Sequence, residues 1–286
     1  MPRPASPTHR HAALPPVEPQ RFMPTRERPV RAKSRHLEPD TDILPHSHAW
    51  AQVVFCASGV ARITAGQHTY LVPAWRAVWI PPHVEHVVTV IEAAELRTLY
   101  LHQEPDRPGP GVARKDSGAW RGCRVLEVSP LLRELVLQMD VAMDGGAALD
   151  ARAREREARL GDLVLDELRR AAPVRLGIEL PQDKRLRQLC EAVLQDPARH
   201  DTLDGWARET AASPRTVARL FRQQLDTSFG PWRQQVLLAH ALRLAAQGRP
   251  MGLIAAELGY ASPSAFSAMV RRAVGQPPSR FFASPA

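Results

Sequence analysis

Residues 203–214 read LDGWARETAASP, and residues 253–263 repeat the pattern as LIAAELGYASP. Each stretch has apolar residues at helical spacing, small residues at its end, and then a Ser-Pro pair. Serine is a good helix N-cap, and proline suits the first helical position because no backbone N–H is needed there. Each stretch therefore predicts a helix, a tight turn and a second helix, so that a helix-turn-helix unit is present twice.

The second helix of each unit is predicted to have an apolar inner face and a polar outer face. The apolar positions, which should pack inward, are Val217, Leu220 and Phe221, then Phe266, Met269 and Val270. A helix that enters the major groove uses its outer face for base edges and its basic residues for phosphates. The predicted DNA-binding residues are Ser213, Arg215, Thr216, Arg219, Arg222, Ser262, Ser264, Ser267, Arg271 and Arg272.

One long helix is predicted between the units, over residues 232–247. It would hold the two recognition helices at a fixed separation, suited to successive major-groove turns of double-stranded DNA. Residues 184–283 resemble the tandem helix-turn-helix domain of the AraC family of transcription regulators. The resemblance rests on SPRTVARLFR (213–222), LGYASPSAFS (258–267) and GQPPSRF (275–281). The sequence departs from the family pattern at Ala268, where arginine is common, and at Val270, where phenylalanine is common.

Charge is segregated along the 286 residues, whose formal net charge is +8. Residues 184–286 carry 14 Lys and Arg against 7 Asp and Glu, while residues 41–183 carry 16 against 19. A basic domain joined to a mildly acidic one is typical of phosphate binding at one end. Apolar runs are too short to span a bilayer, the N-terminus does not resemble a secretory signal, and three scattered cysteines fit a reducing compartment. We therefore predict a cytoplasmic protein with no membrane partner.

Residues 1–38 are rich in proline and lack periodicity, which predicts a disordered basic tail. In the next segment, 39–112, closely spaced β-type runs predict a compact sandwich or barrel. These runs are 51–55, 59–64, 68–72, 77–80, 86–90 and 96–101. Helical periodicity returns within 113–182, a predicted connector and linker whose helices either close one end of the barrel or pair with a second subunit. Residues 183–286 form the predicted DNA-binding domain.

Two motifs in segment 39–112 resemble those of a cupin barrel: His46-Ser47-His48 with Gln52, and Pro81-Pro82-His83-Val84-Glu85-His86. A sensory cupin domain is found in many AraC-family proteins. In cupin enzymes the positions of His46, His48 and His86 hold a metal together with a carboxylate, but Gln52 stands at the carboxylate position. Because a neutral amide is a weak ligand, we predict no cofactor, and a divalent metal on the three histidines is the alternative. The predicted effector pocket is lined by His46, His48, Trp50, Gln52, Trp79 and His86, with Trp75 nearby.

These observations predict an α+β multidomain protein with an N-terminal cupin-like β-barrel, a helical connector and a C-terminal all-α tandem helix-turn-helix domain. Its predicted function is sequence-specific transcription regulation in response to a small-molecule effector, as a homodimer and without catalytic residues. The alternative from another class is a metal-dependent cupin enzyme with a DNA-tethering domain. Gln52 at the carboxylate position argues against that alternative.

Overall fold

The computed structural model describes residues 12–16, 19–73, 76–105, 107–142, 144, 149–174, 177–209 and 213–282. Within these ranges a ten-stranded sheet occupies the N-terminal part of the chain. Its strands are β1 (Ala12–Leu14), β2 (Val30–Leu37), β3 (Thr41–His46), β4 (Ala51–Ala65), β5 (His68–Pro73), β6 (Arg76–Ile80), β7 (His86–Leu101), β8 (Arg124–Glu127), β9 (Pro173–Val174) and β10 (Ile178–Glu179). Short 3₁₀ helices cover Pro19–Phe22 and Arg114–Trp120.

The sheet is organised around β4 and β7, which pair antiparallel along most of their lengths. The first half of β7 also pairs with β3, and its second half pairs with β2. The predicted runs 51–55 and 59–64 are therefore parts of one strand, β4. The register shifts between Cys56 and Ala61, where Gly59 has a φ of +72° and a Cβ would lie 2.1 Å from Ala93 O. Gly59 thus forms a bulge inside a strand, which from sequence resembles a turn.

The predicted disordered tail 1–38 is corrected where the structure describes it: 12–14 form β1 and pair with β3, 19–22 form a 3₁₀ helix, and 30–37 form β2 and pair with β7 at eight positions. Residues 1–11 and 17–18 lie outside the described residues. Val30 and Ala32 are buried on one face of β2. Basic residues occupy the alternate positions Arg31, Lys33 and Arg35, so the segment lacks the run of apolar residues expected of a buried strand. The alternation of apolar and basic residues has the period of a strand nonetheless.

The sheet also includes residues that the sequence assigns to the connector and linker. Strand β8 pairs with β6, and β9 pairs with β8, while β10 pairs with β5. Two helices, α1 (Pro130–Gln138) and α2 (Ala151–Arg170), pack on one face of the sheet. The prediction of helices within 113–182 is thus confirmed by α1 and α2, and the sheet domain extends past the predicted boundary at residue 112.

The C-terminal part is helical, as predicted. Its helices are α3 (Lys184–Gln195), α4 (Leu203–Ala207), α5 (Pro214–Leu225), α6 (Phe229–Ala246), α7 (Met251–Glu257), α8 (Pro263–Val274) and α9 (Pro278–Phe281). Pairs α4–α5 and α7–α8 are the two helix-turn-helix units, and α6 is the helix between them. Residues 210–212, in the first turn, lie outside the described residues.

The apolar faces predicted for α5 and α8 are confirmed. Val217 and Phe221 are buried and Leu220 is half-buried in α5, while Phe266 and Val270 are buried in α8. Buried Met269 completes the inner face of α8. Across the described chain, the helices are too short or too polar to cross a membrane.

Candidate functional site

The first recognition helix, α5, presents a basic outer face. The Ser213 hydroxyl accepts the Thr216 backbone N–H at 3.2 Å, which caps the helix as predicted. Arg215, Arg219 and Arg222 are exposed, and Arg219 Nη1 donates to Gln223 Oε1 at 2.9 Å. Arg215 and Arg219 therefore lie one turn apart on a surface open to a ligand.

The second recognition helix, α8, has a smaller and less basic outer face. The Ser262 hydroxyl caps it by accepting the Ala265 N–H at 3.2 Å. Ser264 is exposed and Ser267 is half-buried, and the exposed Arg271 and Arg272 come in the last turn. Contact of these predicted residues with DNA stays a prediction, and their positions on the two outer faces are compatible with it.

Three imidazoles meet at the end of β3 and the start of β7, and we call them the histidine cluster (His46, His48 and His86). Ring centroids lie 4.3 Å apart for His46–His86, 5.5 Å for His48–His86 and 6.2 Å for His46–His48. His48 is two residues past the end of β3, so it reaches the cluster from a loop and not from an extended strand. The grouping predicted from the cupin motifs is present.

Each ring in the histidine cluster places Nδ1 beside a backbone carbonyl. The distances are 2.8 Å for His46 to Leu44 O, 2.7 Å for His48 to Trp50 O and 2.9 Å for His86 to Val84 O. Burial lowers the pKa of all three rings, and that of His86 to about 3. Neutral rings that donate from Nδ1 leave each Nε2 as an acceptor, and the buried His86 Nε2 has no partner among the described residues.

Gln52 faces this cluster through His48, with Gln52 Oε1 2.6 Å from His48 Nε2. The His48 ring thus lies between two oxygen acceptors, although a neutral imidazole has only one N–H. Burial lowers the pKa of His48 and disfavours the imidazolium, and a neutral ring satisfies both contacts when the Gln52 amide is turned so that its N–H donates to Nε2. Gln52 therefore acts as a hydrogen-bonding partner of His48.

The fit of this site to a metal ion is poor in the observed arrangement. Within the described ranges, no group of three or more His, Cys, Asp or Glu side chains is placed to hold one. Gln52 contributes no charge, and it engages the His48 nitrogen that a metal would need. The prediction of no cofactor and its alternative, a divalent metal on the histidine cluster, both stay untested.

Aromatic residues surround the cluster in a different set from the one predicted. Trp50 stacks on His48 with centroids 5.1 Å apart, and Tyr100 meets His48 edge-on at 5.2 Å. Trp79 is wrongly predicted as a lining residue. It pairs with Val53, whereas Gln52 pairs with Ile80, so Trp79 and Gln52 lie on opposite faces of the sheet. Trp75 lies outside the described residues.

A small cavity of about 20 Å³ lies beside the cluster, enough for roughly one water molecule. His46 and Gln52 contribute to its wall, as predicted. Lys33, Arg35 and Tyr100 also line it and were not among the predicted pocket residues. Lys33 and Arg35 lie on β2, inside the predicted tail. The alternation of apolar or small residues with basic residues along 30–35 is the sequence pattern that could have indicated a strand there.

The sheet domain contacts the C-terminal helices through polar side chains. Glu92 on β7 accepts hydrogen bonds from Arg243 at 2.5 Å and Gln247 at 2.6 Å, at the C-terminal end of α6. Arg76 on β6 donates to Phe281 O at 3.2 Å. Strand β7 therefore runs from the histidine cluster, past Glu92, to Tyr100 at the cavity.

Comparison with known proteins agrees with this arrangement. Residues 38–172 match the AraC-like ligand binding domain, and residues 206–284 match a helix-turn-helix domain. The chain is 31% identical over 238 residues to the HTH-type transcriptional regulator NimR of Escherichia coli (strain K12), covering 83% of this chain and 81% of that protein. The chain belongs to the AraC family of transcription regulators. The resemblance stated from the motifs is thereby confirmed, as are the fold class and the function of transcription regulation.

Other relatives of this AraC-family chain are more distant. The arabinose operon regulatory protein of Salmonella typhimurium is 30% identical over 116 residues, 40% of this chain and 41% of that protein. A crystal structure of unsaturated fatty acid bound ToxT from Vibrio cholerae strain SCE256 covers 89% of this chain and 95% of its own, at 11% identity and a TM-score of 0.34.

Proposed function

We propose that this chain is a cytoplasmic regulator in which α5 and α8 read successive major-groove turns while the sheet domain binds a small-molecule effector. The observation that carries the proposal is the pair of serine-capped helices with exposed polar faces, joined through α6 to a domain with a buried polar cavity. Arg215, Thr216 and Arg219 would contact bases, and Arg271 and Arg272 would contact phosphates.

Strand β7 supports a physical route from effector to DNA. It contributes His86 and Tyr100 to the polar site, and Glu92 between them holds Arg243 and Gln247 of α6. An effector that binds one placement of β7 more tightly shifts the population of that placement. Because Glu92 on β7 holds Arg243 and Gln247, a change in the placement of β7 would move α6 and alter the spacing of the recognition helices.

We propose no catalytic activity for the sheet domain. The relatives named above are transcription regulators, and Gln52 stands where cupin enzymes have a carboxylate. The alternative, a metal-dependent enzyme tethered to DNA, predicts a stoichiometric metal in the purified protein. We propose that the histidine cluster takes part in effector binding. The alternative proposal is that the cluster binds a divalent metal.

The function is tested by separating sensing from DNA binding. A DNA site is first selected from a random-sequence pool with the wild-type protein. His48→Ala is expected to bind that site with an affinity within about threefold of wild type, because His48 lies in the sheet domain, and to lose the response of a target-promoter reporter to inducing conditions. Loss of DNA binding in a folded His48→Ala protein, or a reporter response equal to that of wild type, contradicts the assignment.

We also propose a homodimer formed through α1 and α2. Leu131 on α1 and Leu163 on α2 are 51% and 48% exposed, whereas Leu132, Leu135 and Leu168 of the same helices are buried in the core. Leu131→Lys with Leu163→Lys is expected to shift sedimentation from dimer to monomer, because charge opposes burial of the apolar contact. Leu253→Lys on α7, where the leucine is 51% exposed, is the matched control and should leave the mass unchanged. An unaltered dimer in the double variant places the contact elsewhere.

A further inference from the structure

Strand β2 carries a row of basic side chains on the face opposite Val30 and Ala32. Arg31, Lys33 and Arg35 alternate along it and therefore share that face. The charge of Arg31 is paired with two carboxylates, since its Nη1 lies 2.8 Å from Asp144 Oδ1 and its Nε lies 3.9 Å from Glu157 Oε1, although Nε makes no hydrogen bond among the described residues. The charges of Lys33 and Arg35, in contrast, have no carboxylate partner among the described residues.

Lys33 and Arg35 bring two positive charges to the cavity without a counter-charge. Lys33 is 8% exposed, and its Nζ donates to the neutral Tyr100 hydroxyl at 2.8 Å. Arg35 Nη1 is buried and has no hydrogen-bond partner in the described part of the chain. Burial and the neighbouring Arg35 lower the pKa of Lys33 to about 8, and carboxylates are not among the groups that shift either pKa. A buried cation without an anion is costly, so its retention points to a use.

The other residues that line the cavity indicate the chemistry of a ligand that could bind these two cations. Thr98 and Gln52 add polar groups near the charged end. Ile43, Val54, Val88 and Leu96 form an apolar wall. Two cations beside an apolar wall match an anionic head group attached to an apolar body.

We propose that Lys33 and Arg35 form the head-group site for a small organic carboxylate with an apolar body, and that this carboxylate is the class of effector that the sheet domain senses. This inference rests on the proposed sensory function. The carboxylate would accept N–H donation from Lys33 Nζ and from Arg35 Nη1, the atom that lacks a partner. Because the cavity now holds roughly one water, the apolar body must displace surrounding side chains. Binding would therefore favour a different arrangement of the site, as a sensor requires.

The test uses the full-length protein with hexanoate and benzoate as probes and their amides as uncharged controls. Calorimetry is expected to show binding of a carboxylate and at least tenfold weaker binding of its amide. Lys33→Met and Arg35→Met should each weaken carboxylate binding by about 10- to 100-fold, the usual range for a hydrogen bond to a charged group. Lys115→Met, at an exposed lysine of the same domain, is the matched control and should bind like wild type.

Two further measurements guard against misfolding and against a general anion effect. Without ligand, Lys33→Met should melt at or above the wild-type temperature, because the variant removes a buried cation whose partners among the described residues are the Tyr100 hydroxyl and two aromatic rings and not a carboxylate. Inorganic phosphate should bind more weakly than hexanoate, since phosphate cannot use the apolar wall. Equal binding of carboxylates and amides, unchanged affinity in a folded Lys33→Met protein, preferential binding of phosphate, or no carboxylate binding at millimolar concentration would each overturn the proposal.

The pH dependence of carboxylate affinity tests the role of Lys33 independently. Lys33 faces Arg35 on its own strand, Tyr100 on β7 and the histidine cluster, whose rings are neutral because burial lowers their pKa. An anion favours the protonated amine, so affinity should be full below about pH 8 and fall as pH rises through that value. Lys33→Met should lack this fall. Should another class of molecule alter DNA binding while carboxylates do not bind, the sensory function stands and the carboxylate inference fails.

Discussion

Replacing Phe266 by alanine is expected to lower the free energy of unfolding of the C-terminal domain by about 3–5 kcal/mol and to abolish binding to all DNA. The ring is 1% exposed, and it packs against Tyr260 and Phe282 at centroid distances of 5.4 and 6.0 Å. Alanine leaves a cavity where α8 meets its neighbours, so the recognition helix loses its fixed position. Chemical denaturation, together with mobility shift on specific and random DNA, measures both effects.

The control for this prediction is Ser264→Ala on the exposed face of the same helix. It should leave the denaturation midpoint unchanged, because surface substitutions away from special features typically alter stability by less than about 0.5 kcal/mol. Phe221→Ala makes the corresponding test in α5, where Phe221 packs edge-on to Trp232 at 5.6 Å. A Phe266→Ala protein that melts at the wild-type temperature would show that α8 is rotated relative to this structure.

The helical half was predictable because its signals are local. A Ser-Pro pair specifies both the cap and the first helical turn, and the spacing of Phe221 and Phe266 specifies the buried faces. The structure begins the middle helix three residues before the predicted start, at Phe229, and ends it one residue before the predicted end, at Ala246. Capping residues and apolar periodicity are enough to predict a helix and its buried face when the helix is short and amphipathic.

The sheet half was less predictable because strand pairing is not local. From sequence, Gly59 indicates a turn, and only its close approach to Ala93 shows that it lies in a bulge inside a strand. Likewise, only the pairing of Trp79 with Val53 shows that Trp79 lies on the face of the sheet opposite Gln52. Lys33 and Arg35 resemble tail residues because their burial depends on β7, more than sixty residues later. The cupin motifs therefore identified the histidine cluster but not the cations beside it.

Arg219→Ala is expected to reduce the affinity for the selected DNA site by about 1–3 kcal/mol and to relax the preference for one base pair. Arginine can donate to guanine O6 and N7 together, and Arg219 lies exposed one turn after Arg215 on the outer face of α5. Random DNA offers no such base contact, so the loss of affinity for random DNA should be smaller. A mobility-shift series over single-base variants of the site measures both changes.

Arg271→Ala and Arg272→Ala provide the contrast, because they are exposed in the last turn of α8, away from its N-terminal end. As phosphate contacts, they should weaken specific and random DNA alike and lower the slope of log affinity against log salt by about one each. The base preference should stay as in wild type. If Arg219→Ala leaves affinity and base preference unchanged while an α8 arginine changes the preferred base, the roles assigned to the two helices are reversed.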